Sequence, residues 1–395
     1  MEVQGIGNIE AGLFNGNQFF QADLKTTLTF VENVGVVHED LILNDMGFFN
    51  ISKNVVDGKV KFLSPTALNY ITQGGSNGCA WNPIGGMTYN ITDAQLEKHL
   101  IQMEQCPEVV PCWDSLFGMG NQVENWMATE VGRKLLDDLI KGTYRGIGND
   151  MYKGALIGNH PILEAARASY TGDPDFYSQL VSTLSITGGW FTMIDELAAT
   201  EGGQYAVPIN ASEYSGAKYT GNPVTLFERL KENMPSVFKQ ASKQHKAYGR
   251  RPVILVTGSI FTAYKNWLMT NHPTIPDLLL YRMSNEFSSN YGLNNQSPAP
   301  GILGWDDFWI KEMDGLDVMS EEIQVIHHRA TVAMPGILGL GIDVAEISGY
   351  KGMGLRMEQS TQLKERGKLY FSTNYKMGTA IVDKKFIVNA HVWEK

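Results

Sequence analysis

Residues 121–141 read NQVENWMATEVGRKLLDDLIK. Asn121 stands where a helix N-cap would, and Glu124 follows three residues later, the spacing of a capping box. Val123, Met127, Val131, Leu135 and Leu139 recur every four residues, and Trp126, Leu136 and Ile140 widen that stripe. Glu124, Asn125, Glu130, Arg133, Lys134, Asp137 and Asp138 take the rest of the surface. The period predicts a helix over 121–141, ended by Gly142 at the C′ position. At ~1.5 Å per residue such a rod is roughly 30 Å long. One side of it has to be buried, because an isolated amphipathic helix is marginal in water. Taken alone, the stretch fits one long helix of an ordinary α/β protein, so its flanks decide the fold.

Upstream, Ile101–Val110 reads as a partly alternating strand that begins near Leu96 and turns irregular at Pro107 and Pro111. Residues 36–90 are β-like and loop-rich, with strands expected at Leu41–Leu43 and Val60–Leu63. Asp57-Gly58 between NVV and KVKF is a hairpin dipeptide. The segment lacks the apolar residues for a core of its own, so it reads as a long hairpin that rests on something else. Residues 1–35, beginning glycine- and asparagine-rich, carry little period beyond Thr26–Val31 and read as an extended arm.

Downstream come glycines at 142, 146, 148, 154 and 158, then helices expected over Leu163–Ala168, Asp175–Ser185 (capped by Asp173 with Pro174 at N1) and Trp190–Thr200. After loop residues from Gly202, a compact α/β unit begins. Thr225 and Glu228 are spaced as a capping box, and Leu226, Leu230, Met234, Val237, Phe238 and Ala241 form a stripe broken at Pro235. Val253–Val256 is a wholly apolar strand of the buried kind, and Ser259 is placed to cap the next helix. Pro335, Gly336, Gly339 and Gly341 punctuate Thr331–Asp343 and read as turns and bulges, as do Gly349, Gly352 and Gly354. The chain ends in strands at Lys368–Ser372, Thr379–Val382 and Phe386–Trp393, the last two joined as a terminal hairpin through Asp383-Lys384-Lys385.

The 395 residues suffice for two or three domains, and 43% hydrophobic with 19% charged residues supports a packed core. A net charge of −10 with no basic face disfavours phosphate recognition; Arg250-Arg251 and Lys384-Lys385 read as solvated turns. Cys79, Cys106 and Cys112 form neither a disulfide framework nor a zinc half-site, and fit a reducing compartment. No signal peptide and no membrane-spanning run is read.

Gly74-Gly75-Ser76-Asn77-Gly78 matches G-x-S-x-G, but Cys79-Ala80-Trp81-Asn82-Pro83 cannot open the helix that a nucleophile elbow needs, so a loop tip explains it better. His327-His328 is the one histidine pair, and neighbours on a strand point apart. His38, His99, His160, His245, His272 and His391 lack metal-motif neighbours; Asp306-Asp307 and Asp137-Asp138 read as solvated acids. No catalytic, cofactor-binding or metal residue is therefore expected, and the chain is not read as an enzyme.

The order of parts resembles the major capsid proteins of tailed bacteriophages, the Hong Kong 97-type fold. Four stretches carry the resemblance: Gln95–Leu116 leading into the long helix; Val224–Leu268 with RRPVILV and SIFTAYKNWL; Thr331–Val344; and Lys368–Ala390 (KLYFSTNYKMGTAIVDKKFIVNA). Together they cover about half of the chain. The resemblance implies an α+β fold: an N-terminal arm at 1–35, an extended β-hairpin loop at 36–90, and a peripheral domain at 91–200 with spine helix 121–141 plus a strand near 366–378. It implies an axial domain at 201–365 plus 379–395. It further implies self-assembly into pentamers and hexamers of an icosahedral head around double-stranded DNA, which is enclosed without specific binding. Portal, scaffold and decoration proteins are the other partners implied, with assembly in the host bacterial cytoplasm, a place in the virion and no membrane. Members often carry a scaffolding segment before the arm, whereas the arm here starts at Met1, so a separate scaffold or none is expected. Lys53, Lys59 and Lys61 lie in the hairpin, but no cross-linking partner is identified and none is expected. The alternatives are an encapsulin-type cage, a tail or adaptor component, and a soluble hydrolase-like α/β enzyme with its site near Ser76 or 327–343.

Overall fold

The computed structural model describes residues 17–23, 48–52, 55–65, 89–105, 142, 146–247, 251–271, 302–344, 346–347, 350–359 and 369–394. The helix expected over 121–141 lies outside them, as do Thr26–Val31, Leu41–Leu43, the Ser76 loop, the three cysteines and Lys53.

Strand β1 is Asn17–Asp23, β2 Phe49–Ser52, β3 Val55–Val56, β4 Lys59–Pro65, β5 Tyr89–Gln95 and β6 Glu97–Gln105. Helix α1 covers residues 146–157, and residue 142 is itself helical. Gly142 is therefore not the C′ residue that the sequence predicts, and Gly146, Gly148 and Gly154 lie within α1. Ile147, Met151, Ala155 and Leu156 recur on one buried face of α1, and that burial outweighs the ~1 kcal/mol that each helical glycine costs. Helices α2 (Pro161–Arg167), α3 (Pro174–Leu184) and α4 (Trp190–Thr200) follow. Asp173 caps α3 through its side chain, with Pro174 at N1, as its sequence implies.

The small strands β7 (Tyr214–Ser215) and β8 (Lys218–Tyr219) precede α5 (Pro223–Glu232) and α6 (Ser236–Ala247), which are split at Pro235 as expected. The capping box at Thr225 and Glu228 does not form: Asn222 is the N-cap and accepts from Val224 N, because Pro223 supplies the pre-set φ of N1. Next come β9 (Val253–Val256), α7 (Gly258–Asn271), β10 (Ile302–Trp305), β11 (Phe308–Glu312) and α8 (Asp314–Glu322). All four residues of β9 are buried. Ser259 lies inside α7 rather than at its cap; Ile260 N and Phe261 N donate to Thr257 O, and Gly258 N donates to Asp317 Oδ2.

The chain closes with β12 (Ile326–Ala333), β13 (Leu338–Val344), β14 (Glu346–Ile347), β15 (Tyr350–Gln359), β16 (Leu369–Ile381) and β17 (Ile387–Glu394). Three expectations fail here. The two strands read at 368–372 and 379–382 are one strand, β16. Its Gly378 is not a break but a close approach, since a Cβ there would lie 2.1 Å from Gln95 O. Gly339 and Gly341 are strand residues of β13, where a Cβ would strike the Phe62 ring and Val60, and Gly352 and Gly354 lie within β15; of the glycines read as turns, Gly336 is one, with φ +83. No terminal hairpin forms. Strand β17 pairs with β12 while β16 pairs with β13, so the chain changes sheets at residues 382–386.

Four sheets result. A seven-stranded sheet runs β1-β15-β16-β13-β2, with β14 on β15 and β6 on β16. A five-stranded sheet runs β10-β11-β9-β12-β17, with β9 and β11 parallel (Ile254 opposite Ile310) and β12 antiparallel to β9 (Val256 opposite Ala330). The extended segment forms the three-stranded β3-β4-β5, and β7-β8 is a two-stranded ribbon. One contiguous core joins α1 to α5, the five-stranded sheet and β13. Trp190 ties the helices to the large sheet, donating from Nε1 to Gly339 O at 2.8 Å and stacking on Phe49 with centroids 5.0 Å apart.

Candidate functional site

Two places stand out: a buried polar cluster where the helices meet the five-stranded sheet, and the outer face of the extended hairpin.

The cluster grows from β12 and β17. Their side chains alternate, so His327 and Arg329 share one face of β12, and Asn389, His391 and Trp393 share the facing side of β17. Helix α4 brings Asp195 down onto that face, and His160, the N-cap residue of α2, comes in beside it. Arg329 is fully buried. Its Nη2 donates to Asp195 Oδ1 at 2.6 Å and Oδ2 at 2.5 Å, its Nη1 to Asn389 Oδ1 at 3.0 Å and its Nε to His327 Nε2 at 3.1 Å. The guanidinium also lies 4.7 Å from the centre of the Phe191 ring. Asp195 accepts further from Trp393 Nε1 at 3.1 Å and His160 Nε2 at 3.0 Å. Asn389 uses every polar atom it has: Oδ1 also accepts from Thr331 Oγ1, while Nδ2 donates to Tyr205 O and to His391 Nδ1.

These bonds fix the tautomers. Arg329 Nε and Asn389 Nδ2 can only donate, so His327 Nε2 and His391 Nδ1 are acceptors. Ile162 N donates to His160 Nδ1, so the His160 proton sits on Nε2 and points at Asp195. All three histidines are thus held neutral, leaving one anion against one cation. Burial pushes the Asp195 carboxyl up, but Arg329 beside it and the His160 bond hold it well below the usual carboxylate range. Burial, reinforced by Arg329, lowers His391 to about 4 and drives His327 well below its ordinary value.

The second histidine of the pair points the other way. His328 Nε2 donates to Gly216 O at 2.9 Å, so its Nδ1 accepts from Ser259 Oγ at 2.9 Å. A serine beside an oriented histidine has the outline of a nucleophile and base. Yet Ser259 faces a crevice of about 580 Å³ that Glu312, Asp314 and Asp317 also line. Those carboxylates would oppose the negative charge that builds up in acyl transfer. The pair therefore reads as a tie between α7, β12 and the β7-β8 ribbon. The same three acids hold carboxylate oxygens within 4.8 Å of one another, and Asp317 is already engaged with Gly258 N.

The hairpin shows the expected alternation. Asp57 (φ +53) and Gly58 (φ +74) make the tight turn between β3 and β4, as the Asp-Gly dipeptide predicts. Val60, Phe62 and Ala94 point inward onto Leu96, Ala380 and Val382. On the outward face Leu63 and Ile91 are directly opposite each other and are 58% and 61% exposed. Val56 on β3 is exposed as well.

Of the residues weighed from sequence, His160, His327 and His391 are brought together, whereas His99 is buried elsewhere against Tyr375 and Thr187. Asp306, at φ +50, turns β10 into β11 and pairs with Lys231. Ser76, His38 and His272 lie outside the described residues. Asp195, Arg329 and Asn389 carried no sequence signal, because each partner is at least 35 residues away along the chain or two positions along a strand.

No protein-family model and no curated protein matches the sequence. Solved structures do. A chain of the satellite phage P4 procapsid including size determination (Sid) protein superimposes with a TM-score of 0.52 at 8% identity, covering 93% of this chain and 89% of that one. The capsid of Ralstonia phage GP4 gives a TM-score of 0.44 at 10% identity over 89% of each chain, and Mycobacterium phage Bobi 0.38 at 11% over 88% and 89%. The fold assignment rests on the first of these. At 8% identity the likeness is one of fold, and the shared fold is that of a phage capsid structure.

Proposed function

We propose that this chain is the major capsid protein of a tailed phage, a structural protein and not an enzyme, whose copies close into an icosahedral head. The observation that carries the reading is the fold shared with the P4 procapsid chain over nine-tenths of both chains. The outward hairpin face supports it. The three strands bury Val60, Phe62 and Ala94 against Leu96, Ala380 and Val382 and present Leu63 and Ile91 on the other side. A small sheet whose outer side carries exposed Leu63 and Ile91 among Lys59, Lys61 and Asp93 is poorly stable alone and is suited to lying on a neighbouring copy. Heterologous contacts of that kind close into rings, here pentamers and hexamers. The arm at 1–35 would serve the same end, anchored through β1 on β15 of its own chain. A chain of net charge −10 would enclose double-stranded DNA without binding its phosphates. Portal, scaffold and decoration proteins are the further partners of such a shell, which would assemble in the bacterial cytoplasm and remain in the virion.

Deletion tests the reading. Removing residues 1–35 or 55–63 is expected to abolish particle formation in negative-stain micrographs while the α/β unit keeps its cooperative unfolding transition. Particles that form normally without both segments would remove the basis for the assignment.

A further inference from the structure

The crevice beside Ser259 lies at the carboxyl ends of the parallel strands β9 and β11, where Val256 stands opposite Glu312. That end of a parallel pair is where open α/β sheets hold ligands. Glu312 closes β11, Asp314 opens α8 and Asp317 lies about one turn further on. Their carboxylate oxygens come within 4.8 Å of one another, close enough for one cationic group to touch all three. Gly258 permits the approach, since a Cβ there would lie 2.7 Å from Glu312 Oε1 and 3.0 Å from Asp317 Oδ2. Glu321 lines the crevice as well, and among the described residues no lysine or arginine does. Lys311 is fully buried and donates its ammonium to Glu312 O.

A buried donor meets the same space. His327 is 6% exposed and lines the crevice. Its Nε2 accepts from Arg329, so the neutral ring carries its proton on Nδ1. Stacking on Trp393, with centroids 3.6 Å apart, fixes the ring plane. With Nε2 turned along β12 toward Arg329, the Nδ1 edge is turned back toward Val325 and the crevice end of the strand. Among the described residues this N–H has no partner, and an unmet buried donor calls for an acceptor. The two features together select a ligand class. A divalent cation suits the carboxylates but not the donor: a protonated ring nitrogen cannot ligate it, and a metal-bound water presents hydrogens instead of a lone pair. A cationic group joined to a hydrogen-bond acceptor a side chain's length away suits both. An arginine or lysine residue of a polypeptide is such a ligand, its own carbonyl being the acceptor.

We propose that this crevice binds an arginine or lysine side chain presented by a basic segment of a partner protein. The cation sits among Glu312, Asp314 and Asp317, and a backbone carbonyl accepts from His327 Nδ1. Arginine is the better fit, because its planar fork reaches two carboxylates at once. The chain's net charge of −10 favours a basic partner over a second copy of itself. The site is complete within one subunit and uses nothing of the outward hairpin.

Calorimetric titration of the full chain with N-acetyl-arginine methylamide tests this, beside its citrulline counterpart, n-propylguanidinium and magnesium chloride. The arginine amide is expected to bind saturably with a Kd of about 1 mM or tighter and to weaken with added salt. Citrulline keeps the shape and loses the charge, and n-propylguanidinium keeps the charge and lacks the carbonyl. Each is expected to bind about tenfold more weakly. Glu312→Gln with Asp314→Asn is expected to abolish the arginine response while the unfolding transition remains cooperative. Absence of saturable arginine binding, equal affinity for citrulline, or undiminished binding by the double variant would overturn the site. Magnesium that binds at these acids and excludes the arginine amide would make it a metal site instead. Should the double variant not fold, the comparison of arginine with citrulline on the parent decides. Sedimentation with saturating arginine amide is expected to leave association between copies unchanged; dissociation would assign the crevice to a contact between copies and overturn the partner. A negative result at this crevice leaves the capsid reading standing, because that reading is tested by the deletions at 1–35 and 55–63.

Discussion

The five-stranded sheet and the extended hairpin solve the same problem in opposite ways. Strand β9 is covered on both faces, and even the polar side chains around it, Arg329, Asn389 and Thr331, satisfy one another inside the chain. The hairpin satisfies one face with Val60, Phe62 and Ala94 and leaves Leu63 and Ile91 in water. The sheet's contacts are internal, while in the proposed reading the hairpin is half of a contact. If the chain assembles as proposed, folding and association are assigned to different residues, and substitutions should separate them.

The largest expected effect lies in the sheet. Arg329→Met leaves Asp195 buried without its cation, and removing one partner of such a pair costs about 3–5 kcal/mol. A chemical denaturation midpoint unchanged by that substitution would break the comparison. Next, Phe62→Ala vacates a pocket formed against Gly339 and is expected to weaken hairpin docking by about 3 kcal/mol. Proteolysis should then open 55–65 first and spare β9. Equal loss in both regions would mean that the hairpin belongs to the main core. A smaller effect comes from pH. His99 is lowered to about 4 by burial, so unfolding takes up its proton and stability falls between pH 6.5 and 4. His99→Gln should reduce the slope of stability against pH in that window by up to about one proton. Smallest for folding is Leu63→Ser with Ile91→Ser, expected within about 0.5 kcal/mol of the parent because both side chains are exposed. That pair should nonetheless abolish assembly, which sharpens the contrast most.

How far the sequence reveals this depends on the range of the interactions. Asp57-Gly58, Asp173-Pro174, Pro235 and the apolar run Val253–Val256 act within a few residues, and each placed its element correctly. Glycines misled wherever tertiary contact set their role. Gly339, Gly341 and Gly378 look like breaks in a list of residues, but they are strand positions against which Phe62, Val60 and Gln95 pack. Gly146 and Gly154 sit inside a helix because Ile147, Met151 and Leu156 bury its face. The switch of sheet between β16 and β17 was illegible for a like reason: nothing local distinguishes a short hairpin from a crossover. The Asp195 cluster was hidden most completely, since Arg329 and Asp195 are separated by 134 residues and neither lies in a motif.

Sedimentation velocity of the purified chain beside the Leu63→Ser, Ile91→Ser variant tests the central claim most directly. The account predicts that the parent forms closed shells or tubes, alone or with head-assembly proteins co-expressed, and that the variant remains a folded small species. A parent that stays monomeric under both conditions, or a variant that assembles as the parent does, would contradict it.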